Sequence, residues 1–321
     1  MKYILITCDT EIGELTANLS PEAAFDIFVL GKLNNEVVGV KYINKLANEF
    51  GLIVNHFVDI YPPHLQTQIA DLCYDIMADG HYVGLHTHPG SRYGRRFINE
   101  YNLNEQKEIL SFGKDFFWKN YHLCQVTHRA GGYGADDNTI RALSELEFIY
   151  DSSFFYNNLN CHISGVKNNV VTRIGDKNDI IEVPVSTYVI NRRIFGIELS
   201  NKKKYSKLDF RYGSNVNSIL KFIDNAPDNS VIVLFLHSFN FLNLLYSRNS
   251  KRYIDISISR KLINDYYSLL SEIKKRTDCS CIKFDQIPDF STDPSYSTTE
   301  DINIVKTFMN RCFNSKDKIN V

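Results

Sequence analysis

The feature that most constrains the fold is an alternation of short, β-branched apolar runs with longer amphipathic stretches. In the amphipathic stretches, apolar residues recur every three or four positions, which is the spacing of one helical face. Alternation of this kind predicts a mostly parallel sheet covered by helices, and a (β/α) barrel is among the α/β folds that satisfy it. The apolar runs predict strands at Tyr3–Thr7, Leu52–Val54, Tyr82–Leu85, Leu123–Thr127, Phe148–Tyr150, Ile180–Val183, Val231–Leu236 and Cys281–Phe284. The amphipathic stretches predict helices near 37–50, 65–77, 104–118, 136–146, 219–222 and 259–273.

Two segments interrupt this alternation, at 186–212 and 239–257, and are interpreted as insertions. From about Pro288 the chain becomes polar and rich in Ser, Thr and Asp. No internal repeat or low-complexity linker divides the preceding part. The sequence therefore predicts one (β/α) domain over 1–290, followed by a C-terminal tail over 291–321.

Composition excludes several classes of protein. The 321 residues are 44% hydrophobic and 23% charged with a net charge of −1, which argues against disorder and against a nucleic-acid partner. The apolar run at the N-terminus stops at Asp9, too early for a signal peptide, and no stretch approaches the length of a membrane span. The seven cysteines form no CxxC pair. We expect a cytoplasmic protein with reduced thiols and no stable membrane insertion, and the oligomeric state stays open.

Ionisable side chains follow five of the predicted strands at their carboxyl ends. In a parallel (β/α) barrel those ends share one face, and active sites are built there. Packing does not explain five such ends, so the pattern predicts a functional site. The side chains are Asp9, Glu11, His86, His88, His128, Arg129, Asp151 and His237.

The spacing within two of these groups suits metal binding. His86 and His88 lie on the same side of an extended chain, because strand side chains repeat every two residues, and Asp9 and Glu11 share that spacing. Two imidazoles and one carboxylate form an open ligand set for catalytic zinc. Taken singly, these residues have simpler interpretations: solvated loop histidines, capping or surface acids and, for His237, a satisfied histidine at a strand end.

Together, the motifs resemble the polysaccharide deacetylase (NodB-homology, carbohydrate esterase 4) family over roughly residues 1–290. The resemblance implies a distorted (β/α) barrel with fewer strands than the TIM type, and N-deacetylation of a sugar. The motifs occur in the family's order, at 7–11 (TCDTE), 84–89 (GLHTHP), 128–135 (HRAGGYGA), 150–153 (YDSS), 182–185 (EVPV) and 234–237 (LFLH).

The resemblance also implies a metal centre. Its ligands in this chain would be Glu11, His86 and His88, holding a divalent metal, with zinc first and cobalt, nickel, manganese or iron as alternatives. The family places its second histidine four residues after the first, where this chain has Gly90, so His88 has to substitute for it. The third motif has Gly131 where many members have proline.

The remaining motif residues receive catalytic roles from the resemblance. Asp9 would be the general base, and Arg129 would pair with it and keep it ionised. His237 would be the general acid, with Asp151 as a candidate for holding it charged. A backbone N–H at 132–133 would stabilise the oxyanion. The fourth motif lacks the family's tryptophan, and the single tryptophan of this chain, Trp118, is predicted to be in the core.

The leading hypothesis is therefore a metal-dependent hydrolase that removes an N-acyl group, acetyl or formyl, from a sugar. The absence of an export signal favours a cytosolic nucleotide- or lipid-linked intermediate of surface glycan or lipopolysaccharide synthesis. One alternative is a TIM-type amidohydrolase, although those enzymes carry His-x-His at the first strand. Another is an inactive carbohydrate-binding member of the same fold. A basic stretch, Lys202–Lys204 with Arg192 and Arg193, is either a phosphate clamp or a solvated loop.

Overall fold

A computed structural model describes residues 1–12, 19–175, 179–194, 197–198, 204–209, 211, 214–247, 252–288 and 299–303. The strands are β1 (Lys2–Thr10), β2 (Lys32–Leu33), β3 (Glu36–Val37), β4 (Val54–Asp59), β5 (Tyr82–Thr87), β6 (His128–Ala130), β7 (Tyr150–Asp151), β8 (Thr172–Ile174), β9 (Ile180–Glu182), β10 (Thr187–Ile194), β11 (Ile197–Glu198), β12 (Lys204–Lys207), β13 (Val231–His237), β14 (Leu242–Ser247), β15 (Arg252–Ile258), β16 (Cys279–Cys281) and β17 (Thr299–Asn303). The helices are α1 (Pro21–Ala24), α2 (Val40–Glu49), α3 (Gln66–Ala78), α4 (Gly90–Tyr93), α5 (Leu103–Tyr121), α6 (Asp137–Glu145), α7 (Val216–Asn225) and α8 (Arg260–Lys274).

The main sheet runs in the order β13-β1-β4-β5-β6-β7-β9-β8, and β16 pairs with the amino-terminal part of β1. Every neighbouring pair from β13 to β9 is parallel, and only β8 joins antiparallel. Helices lie between most successive strands of this sheet, because parallel neighbours need a crossover, whereas the described chain between β7 and β9 contains β8 and no helix. The sheet curls into a half-barrel. The predicted α/β class and distorted (β/α) barrel are confirmed.

The interior of the barrel changes from apolar to polar along single strands. Leu5 on β1 is fully buried in a cluster with Phe57, Val233 and Phe284. Thr7 and Asp9 follow Leu5 by two and four residues, so they lie on the same face of β1. The apolar cluster thus forms a floor beneath the carboxyl ends of the strands, and the polar side chains are placed above it.

Some local predictions are wrong. Leu123–Thr127 is not a strand, because β6 starts at His128 and pairs with β5 only through the last three residues of β5. Phe148 precedes β7, because its N–H still caps α6 by donating to the carbonyl of Leu143 (3.0 Å). Trp118 is 49% exposed on α5 and not in the core.

The segments interpreted as insertions contain strands of their own. Segment 186–212 supplies β10, β11 and β12, with β10 antiparallel to both of the others. Strand β17, from the predicted tail, pairs with β10 in parallel. Segment 239–257 supplies most of the β14–β15 hairpin. The boundary at residue 290 stays a prediction. Within the described part of the chain, no helix is both long enough and apolar enough to cross a bilayer.

Candidate active site

Strand pairing brings the predicted site residues to one end of the sheet. Asp9 lies opposite His237 across the β1–β13 ladder, and His86 lies opposite Arg129 across the β5–β6 ladder. Asp9, His86 and His237 lie within the last two positions of their strands. Arg129 is the middle residue of β6, which is only three residues long. The carboxyl ends therefore carry the site, as parallel barrels require.

Glu11, His86 and His88 form a compact cluster with ligand atoms within 4.8 Å of one another. Oε2 of Glu11 is 2.5 Å from Nε2 of His88 and 3.3 Å from Nε2 of His86. Nδ1 of His86 is 3.0 Å from the carbonyl oxygen of Arg129, a contact in which Nδ1 must be the donor. That hydrogen bond fixes the tautomer that leaves Nε2 available, as is usual for metal-ligating histidine. The two nitrogens and one oxygen fit an open site for a divalent metal such as zinc.

The electrostatics of this cluster favour a cation. Burial alone would raise the pKa of Glu11, but the imidazoles of His88 and His86 hold it well below its ordinary value. Burial alone would lower the pKa of His88, but the carboxylate of Glu11 overcomes this and raises it to about 9. The buried carboxylate of Glu11 is thus ionised and is stabilised by positive charge beside it.

Asp9 is held beside this cluster by a buried arginine. Nη1 of Arg129 donates to Oδ1 of Asp9 (2.7 Å) and to the hydroxyl of Thr7 (3.0 Å). The same guanidinium donates to the carbonyl and hydroxyl oxygens of Ser152 (3.1 and 2.9 Å). Burial alone would raise the pKa of Asp9, but the neighbouring His86 and Arg129 outweigh it and lower the pKa. Asp9 is therefore an oriented, ionised carboxylate, with Oδ2 3.6 Å from Nε2 of His86.

His237, the last residue of β13, lies beside Glu11. Its Nε2 lies 3.8 Å from Oε1 of Glu11, and its ring stacks on Phe239 with centroids 4.8 Å apart. Burial, reinforced by the positive charge of Lys207, lowers the pKa of His237 to about 4. The imidazole is therefore neutral at neutral pH in the protein without substrate.

Asp151 has a different partner from the one predicted. Its Oδ1 is 2.7 Å from Nδ1 of His128 and accepts a hydrogen bond from the hydroxyl of Ser153 (2.7 Å). The reason is strand order, because β7 pairs with β6, which carries His128, whereas His237 lies on β13. The structure thus places Asp151 as the residue that orients His128.

Position 131 explains where the His88 ring can lie. A Cβ on Gly131 would stand 2.6 Å from Cε1 and Nε2 of His88, a distance at which real side chains do not pack. At Gly90, which begins α4, a Cβ would meet nothing closer than the carbonyl oxygen of Arg95 at 3.5 Å. His88 therefore occupies its place beside Glu11 because residue 131 has no side chain.

Two residues near the cluster escaped the sequence analysis. Asp59 ends β4 opposite His86, and burial raises its pKa to about 6. The predicted strand stopped at Val54 because Asn55 and His56 interrupt the apolar run, although Phe57 and Val58 continue it. Lys207 comes from β12, inside a segment that periodicity could not assign.

Other predicted residues have the following positions. The loop at 132–133 has positive φ at both residues (55° and 61°), and Tyr133 is buried. Of the basic stretch, Lys202 and Lys203 lie outside the described residues, as do the side chains of Arg192 and Arg193. Lys204 is exposed.

Comparison with known proteins supports the fold. No family model matches the chain, and no curated protein matches it in sequence. A candidate polysaccharide deacetylase from Mycobacterium smegmatis is 17% identical, with 92% of this chain and 95% of that chain covered and a TM-score of 0.57. One from Pseudomonas aeruginosa PAO1 is 12% identical (89% of each chain covered, TM-score 0.54), and Puue allantoinase is 11% identical (89% and 88%, TM-score 0.55). The chain therefore has the fold of the NodB-homology polysaccharide deacetylases, as its motifs implied.

Proposed function

We propose that the protein is a metal-dependent hydrolase that removes an N-acyl group from a sugar. The observation that carries this proposal is the cluster of Glu11, His86 and His88 beside the Asp9–Arg129 pair. The cluster lies at the carboxyl ends of the strands in a fold shared with polysaccharide deacetylases. The set of three ligands, the ionised carboxylate of Asp9 and the fold all support the same reaction class.

The cluster fits a divalent metal, with zinc first and cobalt, nickel, manganese or iron as alternatives. A metal bound there would supply Lewis-acid polarisation of the acyl oxygen and would ease deprotonation of water. The chain's own contribution is to present one imidazole nitrogen from β5, a second from the residue His88 that follows β5, and one carboxylate oxygen from the segment after β1. The hydrogen bond from His86 to the carbonyl of Arg129 keeps one of those nitrogens oriented.

Asp9 would act as the general base. Its Oδ1 is occupied by the guanidinium of Arg129, so Oδ2 is the atom that accepts the proton of the attacking water. The low pKa of Asp9 keeps it ionised before the reaction. Arg129 touches no substrate in this scheme and positions the base.

His237 would deliver a proton to the departing amine. Because its pKa is about 4, His237 starts neutral, and it would receive the proton that Asp9 takes from the attacking water when negative charge develops beside it in the tetrahedral intermediate. A backbone N–H at 132–133 would stabilise the same charge, since donors aimed at a developing oxyanion are worth more than in water.

Three observations bear on other functions. The fold likeness to Puue allantoinase favours one second candidate, hydrolysis of an amide that is not part of a sugar. An inactive sugar-binding member would have no need of the three converging ligands or of the buried Asp9–Arg129 pair. The TIM-type amidohydrolase hypothesis has no support from the observed strand order.

The test is turnover together with metal binding. Purified protein would be stripped with chelator, reloaded with zinc or cobalt, and assayed for free amine from N-acetyl and N-formyl sugars and for opening of the allantoin ring to a carboxylate. We expect one metal per chain and restored release of acetate or formate from a sugar. Turnover of allantoin alone would support the second candidate, and absence of metal binding would contradict the proposal. The panel should include nucleotide- and lipid-linked sugars, since a surface-glycan intermediate is our proposed substrate.

A further inference from the structure

Strand β12 lies beside the proposed active site, because Lys207 at its end contacts Tyr133 and Phe235. Tyr205 and Lys207 lie two positions apart on this strand, so their side chains leave the same face. Tyr205 packs edge-on against Tyr156, with ring centroids 4.7 Å apart. The ammonium group of Lys207 lies 3.3 Å from the ring centroid of Phe235. A segment outside the regular strand–helix alternation thus places Lys207 beside the proposed site, with Tyr205 on the same face of the strand.

The position of Lys207 is close to the proposed chemistry. Phe235 precedes His237 by two residues on β13, and the two rings are 4.8 Å apart. Nζ of Lys207 also donates to the hydroxyl of Tyr133 (2.9 Å), and Tyr133 belongs to the loop proposed to hold the oxyanion. The ammonium group therefore borders both the acid and the oxyanion loop.

The ammonium group is in a place where an anion would be stabilised. The Lys207 side chain is only 15% exposed, and Oδ2 of Asp209 lies 3.7 Å from its ammonium nitrogen. Burial lowers the pKa of Lys207, although Asp209 opposes this. A carboxylate or phosphate placed beside it would make a charge-assisted hydrogen bond in a poorly solvated site, where such bonds are strong.

The pair of tyrosines on this face suits a sugar. Tyr156 is 37% exposed and Tyr205 is partly exposed, so this pair of aromatic rings is accessible to a ligand on the face of β12 that carries Lys207. Aromatic rings pack against the C–H faces of ligands while their hydroxyls stay hydrated. Tyr156 and Tyr205 thus offer an apolar surface, and Lys207 offers a cation beside it.

We propose that Tyr205 and Lys207 select an N-acylated sugar that carries an anionic group, a carboxylate or a phosphate, close to the acyl group. This inference rests on the proposed function and names its substrate class. Lys207 is a specificity-determining residue, and the neutral sugar ring contacts the tyrosines.

The experiment compares neutral and anionic sugars in two variants of the same strand. Wild type, Lys207→Met and Lys204→Met would be assayed with N-acetylglucosamine, N-acetylmuramic acid and N-acetylglucosamine 1-phosphate. Lys204 is the matched control, because it is exposed and its loss removes the same charge from β12. We expect wild type and K204M to prefer one of the anionic sugars about 10- to 100-fold in kcat/KM, through KM. K207M should lose this preference, so that its kcat/KM falls more with the preferred anionic sugar than with N-acetylglucosamine, and K207R should keep part of the preference.

A binding measurement separates this inference from the proposed function. Calorimetric titration with glucosamine 1-phosphate, muramic acid and glucosamine does not depend on turnover. One anionic ligand should bind wild type about 10-fold or more tightly than glucosamine, and K207M should lose the difference. Equal binding of all three would overturn the inference whether or not the protein hydrolyses amides. An equal fall of kcat on all three substrates in K207M would also overturn it, since Lys207 would then stabilise the oxyanion. Thermal melts of each variant verify folding.

Discussion

The ring of His88 lies over the backbone of Gly131, and this single contact decides whether the ligand cluster can form. Gly131 does not have positive φ, so its backbone would accept alanine. What excludes a side chain at position 131 is the imidazole ring of His88. A side chain at 131 would therefore act on the metal centre through the position of His88.

We expect Gly131→Ala to weaken zinc binding at least about 10-fold, because one of three protein ligands is displaced. Calorimetric titration of the chelator-stripped protein measures the affinity. Gly90→Ala is the matched control and should bind zinc as wild type does. In a His88→Ala background, Gly131→Ala should cause no further loss, because interacting sites are not additive. Wild-type affinity in the single variant would show that His88 is not a ligand.

Asp9→Asn tests the proposed base separately from the metal. The substitution should lower kcat about 10²- to 10⁴-fold, the usual contribution of a general base. Asp9 lies outside the ligand cluster, so zinc affinity should change little. Activity near wild type would remove Asp9 from the mechanism, whereas loss of zinc as well would make it a ligand.

How far the sequence could predict the site depends on how each residue is placed. Glu11 and His86 follow or end clear apolar runs that are strands, so strand ends could locate them, whereas Arg129 was located by the run Leu123–Thr127, which is not a strand. The partner of Asp151 could not be predicted, because it depends on which strands are neighbours. Lys207 gave no signal, since its strand is short and lies beside segments without periodicity.

At the scale of elements, β7 and β9 are joined by a buried pair of acids. Asp151 and Glu182 are opposite each other in the ladder, and Oε1 of Glu182 accepts the N–H of Phe154 (2.9 Å). Burial, then the charge of Asp151, raises the pKa of Glu182 well above its ordinary value of 4.5. Burial opposes ionisation of Asp151 too, but His128 outweighs it and the pKa of Asp151 is lowered. Glu182 is thus the protonated member.

This pair makes stability depend on pH in a definite direction. Above pH 4.5 the unfolded chain releases the proton of Glu182 and the folded protein keeps it, so stability falls as pH rises toward the folded pKa. The loss is about 1.4 kcal/mol per pH unit within that window. Glu182→Gln removes this term, and its amide can still accept from Phe154. Urea unfolding between pH 5 and 8 should give a flatter pH dependence for E182Q, and parallel curves would contradict the assignment.

The elements also differ in how well the sequence predicts them. Long helices such as α5 and α8 are found by periodicity, because an apolar face must repeat over several turns. Strands β6 and β7 pair with each other at one position only. Where each strand begins and ends therefore depends on its pairing with the neighbouring strands β5 and β9, and not on its own composition.

At the scale of the whole molecule, the order of parallel strands brings the site together. The alternation of strand and helix was enough to predict the α/β class, because few arrangements bury such elements. The same fold occurs in candidate polysaccharide deacetylases and in an allantoinase, so the fold alone does not choose a substrate. Strand β12 lies outside the regular alternation, and residues there were beyond prediction from periodicity.

A metal bound only by the folded chain would stabilise the whole molecule. Zinc at about 100 times its dissociation constant should add about 2.7 kcal/mol to the free energy of unfolding. Thermal melts with and without zinc should show a higher Tm for wild type and a smaller rise for His88→Ala. An equal rise in both proteins would place the stabilising metal elsewhere.

The most direct test of the central claim is anomalous diffraction at the zinc edge from crystals of zinc-loaded protein. We predict one strong peak per chain, about 2.0–2.2 Å from Oε2 of Glu11 and from Nε2 of His86 and His88. A peak at other residues, or none at this cluster, would contradict the assignment of these three residues as the metal centre.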